Sequence, residues 1–221
     1  VVALRGRLAL ELADLDDFEA ALGAAEHKRE VAREAAAAIA LRLREARKKA
    51  AGKLSKSISA ELVSLGMGDA QVEVDVQPLE GRGGELEIEG ARLSPTGIDR
   101  AEFLIAPNRG EAARPLAKVA SGGELSRAML AIKRVLAGVG PAGLYVFDEV
   151  DSGVGGAVAE VIGQKLNDVA AHSQVLCITH LAQIAVYGDV HFRVHKEVLG
   201  DRTHSRVTQL KQGERLEEVA R

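Results

Sequence analysis

The first 65 residues contain no proline and carry apolar or small side chains at steps of three and four. This spacing predicts one long helix or two, because residues three or four apart share a helix face. The many alanines among them are typical of a coiled-coil seam, where two helices approach closely. The seam consists of Leu15, Phe18, Leu22, Ala25, Ala32, Ala35, Ile39, Leu43, Ala46, Ala50, Ile58, Leu62 and Leu65. A helix of this length cannot bury the seam alone, so we expect a partner helix.

After residue 65 the apolar positions alternate with a period of two, which predicts strands. The predicted strands cover 71–76, 85–89 and 101–106, with a glycine-rich turn at 81–84 and a loop at 107–119. We interpret these strands as a small antiparallel sheet. The chain is therefore expected to divide into a coiled-coil helix over residues 1–65 and an α/β lobe over residues 66–221.

Two short apolar runs further along the chain, Leu144–Phe147 and Ser173–Thr179, predict buried strands. The helical pattern between them, Gly156–Ala171, fits a right-handed crossover, which would make the two strands parallel. A further strand over 190–198, a hairpin around Gly200–Asp201 and a final helix are predicted to follow.

Composition narrows the class of protein. The chain is 47% hydrophobic and 28% charged, and its net charge is -3, which argues against a disordered chain. No apolar run approaches the roughly 20 residues that a membrane helix needs, so we expect no membrane partner. The single Cys177 cannot form an internal disulfide, which suits a reducing cytoplasm. Because the chain lacks an initiating Met and stops within a predicted helix, we expect a piece of a longer protein.

Charge is uneven along the predicted helix. Residues 27–56 hold ten Lys and Arg against three Glu, whereas residues 1–26 are mainly acidic. The basic stretch fits a solvated flank that forms ion pairs with the partner helix. It also fits a surface that contacts the phosphates of duplex DNA. The net charge does not decide between these interpretations, but only 3% aromatic residues disfavours base stacking on single strands.

Ser121, Gly122 and Gly123 directly precede a helical pattern. The first amides of a helix lack partners within the helix and lie at the positive end of its dipole, so a helix start with small residues can bind an anion such as a phosphate. An ordinary capping box, with Ser121 as N-cap and Glu124 three residues later, explains the same pattern. Both interpretations remain open from this segment alone.

Adjacent acids, Asp148 and Glu149, follow the first of the two predicted parallel strands, and His180 follows the second. Because parallel strands end at one edge of a sheet, we expect the three side chains at the same edge, where α/β folds bind ligands. A carboxylate there suits Mg²⁺ on a nucleotide, and the neighbouring carboxylate suits a base that orients water.

These features resemble the ATPase heads of the structural-maintenance-of-chromosomes (SMC) and ABC superfamily and, more closely, the RecN family of bacterial DNA repair proteins. The resemblance rests on residues 115–127, 147–156 and 177–185, and more loosely on the helix. It implies the C-terminal lobe of an ATPase head, with ATP and Mg²⁺ as cofactors and with DNA and a second head as partners. It also implies double-strand break repair and recombination by a cytoplasmic protein associated with the nucleoid.

The resemblance assigns a role to each candidate residue. Asp148 would be the Walker B acid near Mg²⁺, Glu149 the general base and His180 the switch histidine. The signature segment would contact the γ-phosphate of ATP held by the opposite head through Ser121, Gly122, Gly123, Glu124 and Arg127. Where many relatives in the superfamily place an Asp shortly after Walker B, this sequence has Gly155, and Asp151 is expected to take over part of that cross-dimer role.

The sequence contains no Gly-x-x-x-x-Gly-Lys-Ser/Thr phosphate loop, since Gly52-Lys53 lacks both the first glycine and the hydroxyl. In the resembled family that loop lies in an N-terminal lobe, so we expect this lobe as a partner and little ATP binding by the isolated chain. An ABC-type or other chromosome-associated head, or a non-enzymatic coiled-coil module, remain as alternatives. His191, His195 and His204 lack acidic or thiolate partners in the pattern, and we interpret them as structural.

Overall fold

A computed structural model describes residues 2–81, 86–199 and 202–220. Five α-helices and nine strands occur in these ranges. The helices are α1 (Val2–Ser64), α2 (Gly122–Val135), α3 (Gly156–Ala170), α4 (Ala182–Ala185) and α5 (Gln212–Val219). The strands are β1 (Gln71–Pro78), β2 (Glu87–Ile88), β3 (Ala91–Arg92), β4 (Asp99–Ala106), β5 (Arg114–Pro115), β6 (Leu144–Phe147), β7 (Gln174–Cys177), β8 (Phe192–Leu199) and β9 (Arg202–Gln209).

Contacts within the chain define two compact units. The first unit contains Val1–Ala50 and Val76–Ala101, and the second contains Ala51–Asp75 and Glu102–Arg221. The helix predicted from the sequence is a single element, and it contributes residues to both units. The predicted division into residues 1–65 and 66–221 stays a prediction.

The first unit has a small apolar cluster formed by Ala40 of α1 with Ile88, Ala91 and Ile98. The paired strands β2 and β3 supply two of these side chains, in the register Ile88 opposite Ala91. An ion pair lies beside the cluster, because Arg44 Nε donates to Asp99 Oδ1 at 2.9 Å. Arg44 Nη1 also donates to Glu89 Oε2, between β2 and β3, at 3.1 Å, so this short stretch of sheet is held to the helix by both apolar packing and charge.

The main core lies in the second unit, where Ile58 and Leu62 near the end of α1 are fully buried with side chains of α2 and α3. Glu61 reinforces this packing, accepting hydrogen bonds from Arg134 of α2 and Lys165 of α3. The prediction that this end of α1 belongs to a coiled-coil seam was wrong, because its apolar face packs into a globular core. Earlier seam residues such as Phe18 and Ile39 remain exposed.

Strands β6 and β7 are parallel, with Leu144 opposite Gln174 and Phe147 opposite Cys177, and α3 connects them as predicted. The expectation of buried strands was wrong for one face of this sheet. Their side chains alternate, so Phe147 faces the core whereas Leu144, Val146 and Leu176 are exposed. The reason is that within the described residues the sheet has two strands and helices cover one of its faces.

The predicted strands over 71–76 and 101–106 are confirmed as β1 and β4, and the described part of the one over 85–89 contains β2, but they occupy two sheets rather than one. β4 lies between β1 and β5, whereas β2 pairs with β3. The predicted loop at 107–119 contains β5 and a short 3₁₀ helix, Leu116–Lys118. Most of the turn at 81–84 and the hairpin tip at 200–201 lie outside the described residues. None of the described helices is both long and apolar enough to cross a membrane.

Candidate functional site

The site begins at the N-terminus of α2. Ser121 is its N-cap, and its Oγ accepts a hydrogen bond from the Glu124 amide at 3.4 Å. The N-cap hydrogen bond that the capping interpretation requires is therefore present. Ser121 and Gly122 are exposed, so the first turn also stays open to solvent with the positive end of the helix dipole behind it. Capping of one amide does not exclude anion binding by the others.

The two glycines let this helix end lie directly against the loop that follows β6. A Cβ at Gly122 would lie 2.0 Å from Glu149 Oε2. A Cβ at Gly123 would lie 2.9 Å from Ser152 Cβ and 3.1 Å from the Glu149 carbonyl oxygen. The distances of 2.0 and 2.9 Å are shorter than real Cβ contacts, and the distance of 3.1 Å is tighter than most of them. The Gly-Gly pair therefore has a packing role within the chain.

The acids occupy the predicted sheet edge. Asp148 and Glu149 follow the last residue of β6, and both are exposed. Asp148 Oδ1 accepts a hydrogen bond from the Glu149 amide at 2.9 Å. Glu149 has a φ of +57°, an uncommon value for a residue with a side chain. Strain of this kind clusters at functional sites, because the surrounding structure must hold it in place.

Arg127 lies beneath this loop rather than at the surface. The residue is 8% exposed, and its Nη1 donates to the carbonyl oxygens of Ser152 at 2.8 Å and of Val150 at 3.5 Å. Burial lowers the pKa of its guanidinium below the ordinary value, and Glu124 partly opposes this shift. The γ-phosphate contact expected for Arg127 stays a prediction. Within its own chain, the side chain stabilises the loop that follows β6.

Asp151 joins the acidic loop to the end of β7. It is 4% exposed, and its Oδ2 accepts hydrogen bonds from Thr179 Oγ1 at 2.5 Å and from the His180 amide at 2.9 Å. The same oxygen lies 3.0 Å from His180 Nδ1. Burial acts to raise the pKa of Asp151, but these hydrogen bonds and the His180 charge outweigh it, so the pKa is lowered. The side chain therefore stays ionised at neutral pH.

His180 reaches the same edge through this contact, and its side chain is 74% exposed. The structure thus brings Asp148, Glu149, Asp151 and His180 to one edge, with Ser121 and Gly122 beside Glu149. The roles toward nucleotide expected for all of these residues, for Gly123 and for Glu124 stay predictions. Sequence reasoning missed Ser126, whose Oγ donates to the Asp148 carbonyl at 2.6 Å. A polar residue in the first turns of α2 was the available signal.

The donor chemistry of the edge fits Mg²⁺. Asp148 presents an exposed carboxylate, and Mg²⁺ in nucleotide sites is commonly bound by one or two carboxylates, substrate phosphates and water. The described residues contain no group of three or more His, Cys, Asp or Glu side chains arranged to hold a metal. The interpretation of His191, His195 and His204 as structural stays a prediction.

Comparison with known proteins identifies relatives along the whole chain. The DNA repair protein RecN of Xylella fastidiosa strain 9a5c is 40% identical over 221 residues, which is 100% of this chain and 38% of that protein. RecN of Treponema pallidum is 50% identical over 130 residues, 59% of this chain and 23% of that protein. The chain thus spans well under half the length of these relatives. No family model matches it.

Solved structures agree on the fold. The Smc head domain with a coiled coil and joint from Pyrococcus yayanosii aligns with a TM-score of 0.50 at 19% identity, covering 79% of this chain and 29% of that one. The expected fold class is confirmed: an α/β lobe that follows a long helix and is similar to the fold of an SMC head domain.

Proposed function

Because this chain corresponds along its whole length to the C-terminal portion of DNA repair protein RecN, we propose that it forms one lobe of an SMC-like ATPase that acts in DNA double-strand break repair and recombination. In this proposal two heads dimerise around ATP and separate after hydrolysis. The cycle moves the attached helices and thereby DNA. The N-terminal lobe supplies the phosphate loop that this sequence lacks.

The contact between Gly122 and Glu149 carries the proposal. In this conformation the Glu149 carboxylate lies against the α2 N-terminus of its own chain, where a Cβ on Gly122 would lie 2.0 Å from Oε2, so it takes up space that a phosphate at this helix end would need. In the proposal, the helix end and Glu149 therefore act on different nucleotides. A sandwich of two heads meets this condition, since each nucleotide then meets the acids of one head and the α2 N-terminus of the other.

Each side chain has a role that its position supports. Asp148 would hold Mg²⁺, which supplies charge stabilisation on the nucleotide phosphates. Glu149, exposed at the strand end, would accept a proton from the attacking water. The terminal phosphate would be bound by His180 of the same head and by the α2 N-terminus, Ser121 to Gly123, of the opposite head. This phosphate is lost on hydrolysis, so the contact between the heads would weaken at that step.

Exposed apolar surfaces support the proposed partners. In the second unit, Leu144, Val146 and Leu176 form an exposed face on β6 and β7, which fits cover by another lobe of the head. In the first unit, Phe18, Leu22 and Ile39 are exposed along α1, which fits a partner coiled-coil helix. The proposal that DNA is a partner rests on the similarity to DNA repair protein RecN alone.

The substitution Glu149→Gln in the full-length protein tests the proposal. Removing a general base typically lowers the rate by about 10²- to 10⁴-fold, so steady-state ATP hydrolysis should fall by at least about a hundredfold. ATP-dependent dimers should persist and accumulate in light scattering, because binding is intact. Glu160→Gln, an exposed glutamate on α3, is the matched control and should leave hydrolysis unchanged. Normal hydrolysis by Glu149→Gln would remove the assigned base.

A further inference from the structure

One oxygen of Asp151 collects three donors from the segment that carries His180. The hydroxyl of Thr179, the amide of His180 and its ring Nδ1 all lie within 3.0 Å of Asp151 Oδ2. The resemblance implied that Asp151 takes over part of a cross-dimer role. A side chain that is 4% exposed and bound three times within its own chain is instead built to hold its neighbours.

The contact determines which ring nitrogen of His180 carries the proton. An ionised carboxylate only accepts hydrogen bonds, so Nδ1 must be the protonated nitrogen that donates to Oδ2. Nε2 is then the nitrogen left for a ligand. Carboxylates fix histidine tautomers in this way at metal centres and in hydrolytic triads.

Asp151 is itself held in place without help from the imidazole. Thr179 Oγ1 donates to the carboxylate and accepts a hydrogen bond from the Leu181 amide at 3.0 Å. Leu181 is the N-cap of α4, so the carboxylate, the Thr179 hydroxyl and the start of α4 form one connected unit. The imidazole, although 74% exposed, therefore has a fixed anchor on one side.

We propose that Asp151 is the positioning residue for His180, fixing the imidazole with Nδ1–H on the carboxylate and Nε2 directed to the terminal phosphate of bound nucleotide. The ligand part of this inference rests on the proposed function, whereas the tautomer belongs to the chain itself. Asp151 acts through His180 and touches no nucleotide. The cross-dimer role that the sequence analysis gave to Asp151 is not needed for this assignment.

The tautomer is tested by ¹⁵N NMR of the histidine rings in this chain at about pH 8, above the ordinary histidine pKa of about 6.5. His180→Gln identifies the signal among the six histidines. We expect His180 to be protonated at Nδ1, and Asp151→Ala to shift the proton towards Nε2. Asp151→Asn should keep the wild-type tautomer, because an amide oxygen can still accept from Nδ1. An Nε2–H tautomer in the wild type, or no change in Asp151→Ala, would overturn the proposal.

The full-length protein gives the functional readout. Asp151→Ala should lower kcat for ATP hydrolysis about 10- to 100-fold, as removal of a carboxylate that orients a histidine typically does, with little change in KM, and Asp151→Asn should recover most of that loss. Combining Asp151→Ala with His180→Ala should be no worse than His180→Ala alone, because residues that act as one unit are non-additive. Additive losses would reject positioning through His180. Absence of ATPase activity in the wild type would reject the proposed function and leave the NMR result standing.

Discussion

Cys177, at the end of β7, has a thiol that is strongly biased towards its protonated form. Burial, with the carboxylates of Asp151 and Asp148, raises its pKa from 9.0 to about 12. The folded state therefore holds the thiol proton more tightly than the unfolded state. Below about pH 9 the thiol has no effect on the pH dependence of stability, and between about pH 9 and 12 the folded state should lose stability.

This shift predicts slow alkylation of the folded chain. Each pKa unit lowers the thiolate fraction about tenfold, so at pH 8 iodoacetamide should react with Cys177 about a thousandfold more slowly in the folded than in the urea-unfolded chain. Mass spectrometry gives both rates, and Cys177→Ser, which lacks any thiol, sets the background. Equal rates in the two states would contradict the raised pKa.

At the scale of single residues, the sequence identified which residues lie at the site but not which of their side chains point into the protein. Asp148, Glu149 and His180 were predictable because strand ends in a parallel sheet fix an edge. The inward orientation of Arg127 and Asp151 was not, because it depends on carbonyls and donors that the fold brings together from distant positions. The spacing of the residues in a motif does not indicate which of their side chains are buried.

Among the elements, α1 shows what the local periodicity of apolar residues predicts and what it does not. Its period predicted a helix because that signal is local to each turn. The same period could not show that Ile58 and Leu62 leave the seam and enter a core, because the core residues of α2 and α3 lie far along the chain. The pairing of β2 with β3, which forms a separate small sheet, likewise depends on packing against α1.

The ion pair beside that small sheet gives a test at this scale. The Asp99 side chain is 2% exposed and pairs with Arg44 Nε at 2.9 Å, so Arg44→Met leaves a buried carboxylate without its partner. Breaking a buried pair in this way typically costs about 3–5 kcal/mol. Because Arg44 Nη1 also pairs with Glu89 between β2 and β3 at 3.1 Å, we expect faster hydrogen exchange of the β2 and β3 amides and of the start of β4 in the first unit.

Arg42→Met is the matched control, because Arg42 is exposed on the same helix and should leave exchange unchanged. The double variant Arg44→Met with Asp99→Leu should recover much of the protection, since an apolar pair can replace a buried ion pair. Unchanged exchange in Arg44→Met alone would show that the ion pair does not hold the sheet to the helix.

For the whole molecule, the net charge of -3 averages an acidic start, a basic stretch and an acidic sheet edge. It therefore predicts little about partners. The apolar surfaces on β6, β7 and α1 are more informative, because exposed apolar residues in register are typical of surfaces that another element covers. The fold class could be predicted from motifs and periodicity, whereas the division of contacts into two units could not, since it depends on long-range packing.

The central claim is that each catalytic site combines Glu149 of one head with the Ser121 helix end of another. Mixing two inactive full-length variants, Glu149→Gln and Ser121→Arg, tests it most directly. In a mixed dimer one site receives both defects and the other receives neither, so an equal mixture should recover about a quarter of wild-type ATP hydrolysis. A mixture as inactive as either variant alone would contradict composite sites and place both residues on the same nucleotide.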